Sequence, residues 1–147
     1  MAKDNPSNTT LNFYWLPCIR AAIALDLNHP AEAVEGLRVA AAYELGAPPP
    51  LEPGTLYPVY LRGESYFRLH QPGMAAIEFQ KLLDHSGCVM NFPLGALAHL
   101  KLGQAYVMAG DEKKAKAAYQ DFLTLWKDAE AEAAVLKNAK AQYAQLH

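Results

Sequence analysis

Apolar residues recur three and four places apart through most of this chain, the period of helices that each turn one stripe toward a shared core. Thr9 or Thr10 can cap a first helix running to about Leu27, with Trp15, Ile19, Ile23 and Leu27 as its i, i+4 stripe. Pro17 lies in the first turn if that helix starts near Tyr14. Otherwise it kinks the helix, because proline lacks the N–H and crowds the carbonyl four residues back. A tight turn at Asn28-His29-Pro30 leads to a partner helix from Ala31 to about Leu45, whose inward stripe is Ala33, Leu37, Ala40 and Ala41. The run from Gly46 to Gly54 cannot be helical: Pro48, Pro49 and Pro50 remove donors and push the residues before them to extended angles, which makes a stiff linker.

Beyond the linker, Thr55 caps a helix to about Leu69, and the turn His70-Gln71-Pro72-Gly73 leads to another from Met74 to about Asp84. His29 and His70 fall at equivalent places in the two turns. His85-Ser86-Gly87 closes the fourth helix, and Cys88 to Phe92 reads as a short irregular insert. Pro93 starts a fifth helix to about Met108. Ala109-Gly110-Asp111 then turns the chain, with Asp111 capping the sixth helix, and Asp128 or Glu130 starts a seventh, unpaired helix.

The helices pair, and the pairs share a pattern. Ala21-x2-Ala24-x8-Ala33-x3-Leu37, Gly63-x2-Tyr66-x8-Ala75-x3-Phe79 and Gly103-x2-Tyr106-x8-Ala115-x3-Tyr119 align without gaps. A small residue stands where two helices would cross closely, and the alanine and large apolar residue repeat that logic on the second helix. Ala33, Ala75 and Ala115 are 42 and 40 residues apart, with the extra length placed in the loops between pairs. One helical hairpin cannot bury both its faces, so three pairs and a terminal helix come close to the smallest self-sufficient array.

Composition narrows the function classes. A chain of 147 residues suits one domain or a short array. Its 52% apolar content is inflated by alanine, and 13 basic against 15 acidic residues, a net charge of −2, are mixed along the helices. That lacks the basic patch nucleic acid requires. Cys18 and Cys88 form no C-x-x-C pair and are expected as free thiols. No apolar run approaches the roughly 20 residues that cross a bilayer. Met1 to Thr10 is polar without a signal-peptide core and reads as a leader from something upstream.

In the last pair Leu102-Gly103-x2-Tyr106, Ala109-Gly110-Asp111, Ala115-x3-Tyr119 and Phe122 stand in the order and spacing of the tetratricopeptide repeat (TPR) family. Gly63, Tyr66, Ala75, Phe79 and Leu82 do so in the middle pair. The chain resembles that family over about residues 11 to 129, although Ala21 and Ala24 replace the glycine and tyrosine in the first pair, and the family period is shorter, about 34 residues. The resemblance implies an all-α fold: a right-handed superhelical array of three TPR-like hairpins, about residues 11–45, 55–85 and 93–127, after a flexible leader over 1–10. A capping helix over 130–147, with Ala134, Leu136, Tyr143 and Leu146 facing the last repeat, brings the total to about seven helices. A narrower likeness, in Tyr14-Trp15-Leu16-Pro17 and Tyr43-Glu44-Leu45-Gly46-Ala47-Pro48-Pro49-Pro50 among other stretches, is to the C-terminal repeat region of bacterial eukaryotic-like serine/threonine kinases of the kind abundant in acidobacteria. No glycine-rich loop, H-R-D or D-F-G motif accompanies it, so it carries no catalytic residue to this chain.

Residues of catalytic type have ordinary structural readings. His85 and Cys88 lack a second ligand pair, His99 suits a packing position, and Glu32, Glu35, Asp111 and Glu112 complement helix N-termini. Lys113, Lys114 and Lys116 read as a solvated face. No catalytic, cofactor-binding or metal residue is assigned, and no cofactor is expected. In the resembled family the first helix of each pair lines a concave groove. Carried over, that places Trp15, Cys18, Ile19 and Ala22, then Tyr57, Tyr60, Leu61, Glu64 and Arg68, then Leu97, Lys101, Gln104 and Met108 along it. Such a mixture of aromatic and charged residues suits an extended or helical peptide. The expected function is a noncatalytic interaction module binding a protein or peptide, part of a larger signalling chain, with neither nucleic acid nor membrane insertion involved. A homodimer through the first repeat, hiding Trp15 and Ile19, is a further use of the same surface. The alternative is a ligand-sensing helical domain that regulates an attached serine/threonine kinase. A small molecule would call for an enclosed pocket lined by Trp15, Tyr57 and Tyr60.

Overall fold

The computed structural model describes residues 7–46, 56–89, 92–129 and 133–146, and within them the chain is all-helical. The Pro48–Pro50 linker, Thr55, most of the leader and the seventh-helix start at Glu130 lie outside these residues. The α-helices are α1 (Leu16–Asp26), α2 (Pro30–Gly36), α3 (Tyr57–Arg68), α4 (Pro72–Asp84), α5 (Ser86–Val89), α6 (Pro93–Met108), α7 (Glu112–Leu125) and α8 (Ala134–Ala144). Each packs mainly on the next, apart from the short α5: α1 on α2, α2 on α3, α3 on α4, α4 on α6, α6 on α7 and α7 on α8. No helix of the described residues is long and apolar enough to cross a membrane.

Prolines mark the starts. Pro30, Pro72 and Pro93 are first residues of α2, α4 and α6, and Pro58 is the second residue of α3, where a missing N–H costs nothing. The fourth helix thus begins at Pro72, two residues before the sequence expectation of Met74. Pro17, the second residue of α1, instead follows a stretch that is already helical. The five residues before α1, Leu11–Trp15, form a π-helical turn in which the Leu16 N–H donates to Leu11 O, five residues back. A widened turn there relieves the crowding of a carbonyl by the proline ring. Asn8, rather than Thr9 or Thr10, caps this entry, its Oδ1 accepting from the Leu11 N–H at 2.8 Å.

Three hairpins, α1–α2, α3–α4 and α6–α7, close with the same turn. Asn28, His70 and Gly110 have φ of 60°, 55° and 75°, and each is followed by an N–H that donates back across the helix end. His29 N donates to Ala24 O at 2.7 Å, Gln71 N to Tyr66 O at 2.9 Å and Asp111 N to Tyr106 O at 2.9 Å. This is the Schellman closure, in which a left-handed residue frees the next N–H to reach the last turn's orphan carbonyls. His70 is therefore equivalent to Asn28, whereas His29 stands one place further on, with Gln71 and Asp111. In the third hairpin the Asp111 carboxylate also accepts from Lys114 N at 3.1 Å.

Packing inside each hairpin explains the repeated small-plus-large pattern. A Cβ on Gly63 would meet the Phe79 ring at 2.7 Å, and one on Gly103 would meet the Tyr119 ring at 3.0 Å. The corresponding first-hairpin residues, Ala21 and Leu37, are both buried, a larger small residue under a smaller large one. Ala33, Ala75 and Ala115 are each the fourth residue of the second helix and each fully buried.

Several details depart from the sequence expectation. Ile19, Ile23 and Leu27 do not face the core of the first hairpin: they are 53%, 54% and 63% exposed, while Cys18, Ala21, Ala24 and Leu25 are buried. Close crossing of α1 and α2 selects the small residues. The partner helix is α-helical only to Gly36 and tightens into a 3₁₀ segment, Arg38–Ala42, which leaves Ala41 exposed while Ala40 is buried. Part of the insert after His85 is helical, as α5, with Val89 buried. The last helix begins at Ala134, later than Asp128, and α5 brings the α-helices among the described residues to eight rather than about seven. Leu136 and Ala139 of α8 are buried against Leu100, Tyr119 and Phe122, and the Tyr119 OH donates to Gln142 Oε1 at 2.9 Å.

Candidate functional site

The groove residues expected from sequence fall on α1, α3 and α6 and on the turn before α1, and α3 contacts both α1 and α6. The half-buried rings of Trp15 and Tyr57 meet with centroids 5.9 Å apart, joining the first hairpin to the second. Tyr60 sets its ring edge-on to Phe79 at 5.9 Å, and burial, with the Glu64 carboxylate beside it, raises its phenol above the ordinary value. Glu64 Oε1 and Lys101 Nζ are 2.8 Å apart, an ion pair from α3 to α6, and Lys101 also lies 5.7 Å above the Phe67 ring. Arg68 donates to Leu25 O, satisfying a carbonyl at the end of α1. Gln104 donates to Gln142 Oε1 at 3.0 Å and is thereby tied to α8. Ile19 and Met108 are exposed.

Cys18 lies in the first-hairpin core instead of the groove, and burial pushes its thiol up to about 12, with Arg62 lowering it and Glu44 raising it by smaller amounts. A buried thiol whose pKa is raised in this way is a poor nucleophile. At pH 8, a thiol reagent is expected to label half-buried Cys88 in the folded chain and Cys18 only after denaturant is added. Rapid labelling of a Cys88→Ser variant, measured by mass, would contradict that assignment.

Behind this face lies a charge cluster that the sequence reading missed. Arg62 Nε donates to Glu78 Oε1 at 2.9 Å, and its NH2 group donates to Glu78 Oε2 at 2.8 Å and to both Glu44 oxygens at 3.0 and 3.2 Å. Lys81 completes the group on Glu44 Oε1. Two acids and two bases balance, and the Glu44 and Arg62 side chains are 2% and 10% exposed. Burial works against the Arg62 charge, yet the hydrogen bonds and charges of Glu78 and Glu44 outweigh it and hold the guanidinium above its ordinary range. Glu44 belongs to the end of the first hairpin, Arg62 to α3 and Glu78 and Lys81 to α4, so the cluster fastens one hairpin to the next. A signal was present in the repeat alignment. Arg62 and Glu78 stand where the third hairpin has Leu102 and Ala118, both buried.

An open cleft of about 310 Å³ lies elsewhere, between α4, α6 and α7, lined by Asp84, His99, Tyr106, Lys114 and Asp121 among others. Burial lowers the His99 pKa, and Asp121, with its carboxylate 3.6 Å from Nδ1, opposes that more weakly. His85 donates from Nδ1 to Lys81 O at 2.9 Å, capping α4. Lys114 is paired with Asp111 at 2.9 Å. Among the described residues no group of three His, Cys, Asp or Glu side chains is arranged to hold a metal ion.

These features define an all-helical protein of three consecutively packed hairpins with one turn geometry, followed by a terminal helix. Comparison with protein-family models and with curated proteins returns no match.

Proposed function

We propose that this chain is a noncatalytic protein-interaction module that takes an extended or helical segment of a partner across the α1–α3–α6 face. The observation that carries this reading is the fixing of its aromatic and charged groups by contacts between hairpins. Trp15 against Tyr57 and Glu64 against Lys101 are each held by a neighbouring hairpin. Side chains already ordered lose little entropy on binding, and aromatic anchors supply much of the contact energy in such interfaces. The repeated turn and the small-plus-large crossings support a TPR-like superhelical array as the scaffold, and the narrower likeness to kinase C-terminal regions supports attachment to a signalling chain. The ligand-sensing alternative asks for an enclosed pocket lined by Trp15, Tyr57 and Tyr60. The open cleft beside His99 is built from other residues and lends that alternative no support.

Peptides selected from a displayed random library against the folded chain test the proposal. Their amide-shift perturbations are expected to cluster on α1, α3 and α6, and Trp15→Ala or Tyr57→Ala is expected to weaken binding about tenfold or more. Perturbations confined to α4 and α7, affinity unmoved by both substitutions, or a library that yields no binder would each overturn it.

A further inference from the structure

The register of the hairpins sets one stripe of the first helix in three environments. On α3 it is Pro58, Arg62 and Ser65, and on α6 it is Ala98, Leu102 and Ala105; all six are buried. The second segment of the preceding hairpin is what buries them. α2 lies along α3, with Glu44 past its 3₁₀ continuation reaching Arg62, and α4 lies along α6, where Phe79 and Leu82 share a core with Ala98, Leu102 and Ala105. The same register on α1 gives Leu16, Arg20 and Ile23, with Ile19 and Leu27 one turn to either side of Ile23. Steps of three and four residues join these positions, so they share one face. Among the described residues α1 packs mainly on α2, α3 and the turn before it, and Ile19, Arg20, Ile23 and Leu27 stay exposed. A face covered by a helix at its second and third occurrences is open at its first.

Two residues of the open face describe what fits it. Arg20 holds the place of Arg62, whose guanidinium meets one acid of its own hairpin, Glu78, and one of the preceding hairpin, Glu44. Gly36 stands in the register of Glu78, so the first hairpin brings no acid to that position, and Arg20 makes no ion pair among the described residues. A carboxylate for Arg20 has to arrive with the covering segment, as Glu44 does for Arg62. Ile23 holds the place of Ser65 and Ala105. A helix lying as close as α2 and α4 do must therefore present a small residue to Ile23, because the side chains at the contact set the distance between two helix axes. Within the chain the second helices are already covered, α2 by α3, α4 by α6 and α7 by α8, and α8 itself carries no acid. A second copy thus has no matching helix to offer.

We propose that the open face of α1 receives one amphipathic helix of a second protein, which sets a small residue on Ile23 and a carboxylate on Arg20. Ile19, Ile23 and Leu27 supply the apolar area that the helix covers, and the Arg20 pair fixes its register, since charges at an interface act on specificity more than on affinity. The site uses α1 without α3 or α6 and does not rest on the peptide-binding reading above.

The probe is a library of single helices displayed on a fixed scaffold, randomised along one face and panned against the full chain. Selected helices are expected to share an Asp or Glu at one position, with Ala, Gly or Ser three or four places from it. They shift the amides of Leu16 to Leu27 and leave those of α6 in place, whereas a ligand of the α1–α3–α6 face moves α6 as well, so either reading can fail without the other. Arg20→Ala weakens their binding about tenfold or more, and a lysine in place of the shared acid restores binding to an Arg20→Glu chain. No binder, binders without a shared acid, amide shifts centred on another helix, or affinity unmoved by Arg20→Ala overturns the proposal. So does a parent chain that sediments as a dimer and becomes monomeric on Ile23→Lys, because a second copy then covers the face. Arg20 and Ile23 are exposed, and circular dichroism of each variant checks its folding independently.

Discussion

Replacing Arg62 by methionine is expected to cost about 3–5 kcal/mol of folding stability, because it strips a buried carboxylate pair of its shared cation. Glu78 loses both of its hydrogen bonds from Arg62 and Glu44 keeps only Lys81, while desolvation of both acids remains. At this chain length such a loss lowers Tm by on the order of 10 °C. It is a large fraction of the ~5–15 kcal/mol that holds an ordinary domain together. The third hairpin supplies the control, since Leu102 and Ala118 fill the corresponding positions without charge. Arg62→Leu combined with Glu78→Ala and Glu44→Gln is expected to recover most of the loss, since removing a whole buried ion cluster is far less costly than breaking it. Urea titrations followed by circular dichroism make the comparison. A single variant that loses less than about 1 kcal/mol would show that water already reaches the cluster.

That cluster also marks how far the sequence could be read. The helices, the Pro93 start and the Asp111 cap were legible because each depends on residues within one turn of one another. The repeated pairing of a small residue with a large one 16 positions on was legible too, since its geometry recurs three times. Arg62, Glu44 and Lys81 meet across gaps of 18 and 37 residues, and nothing in local pattern says which of many charged residues will be buried. Only the register of the repeats, with Arg62 falling where a buried leucine stands, carried a hint. The first helix was misread for a different reason. It is apolar nearly all round, so periodicity does not separate its faces, and its largest apolar residues were assigned to the core. The close crossing with α2 admits Cys18, Ala21 and Ala24 instead, and displaces Ile19 and Ile23 to the surface. For the candidate face, sequence located the residues but not their contacts. That Lys101 is bound to Glu64, Arg68 to the end of α1 and Gln104 to α8 follows from how the hairpins stack.

Gly63→Ala is expected to destabilise the chain by on the order of 1–2 kcal/mol, although the substitution favours an isolated helix by about 1 kcal/mol. The opposing term is steric. The added methyl would lie 2.7 Å from the Phe79 ring, closer than any carbon contact tolerates, and Phe79 is fully buried with Tyr60 against it. Gly103→Ala meets Tyr119 at 3.0 Å and should cost less, though the Tyr119 hydroxyl is tethered to Gln142 and limits how far the ring can yield. The first hairpin shows the compensating solution, an alanine at position 21 under a leucine at position 37. Phe79→Leu alone should also destabilise, by on the order of 1 kcal/mol, through lost ring contacts. The Gly63→Ala/Phe79→Leu chain should therefore be more stable than the sum of its single variants, with a coupling of about 1 kcal/mol or more. Denaturation midpoints of the four chains decide it. Simple additivity, or a Gly63→Ala chain more stable than its parent, would mean that the ring yields freely and that the glycine is not what allows the two helices to cross.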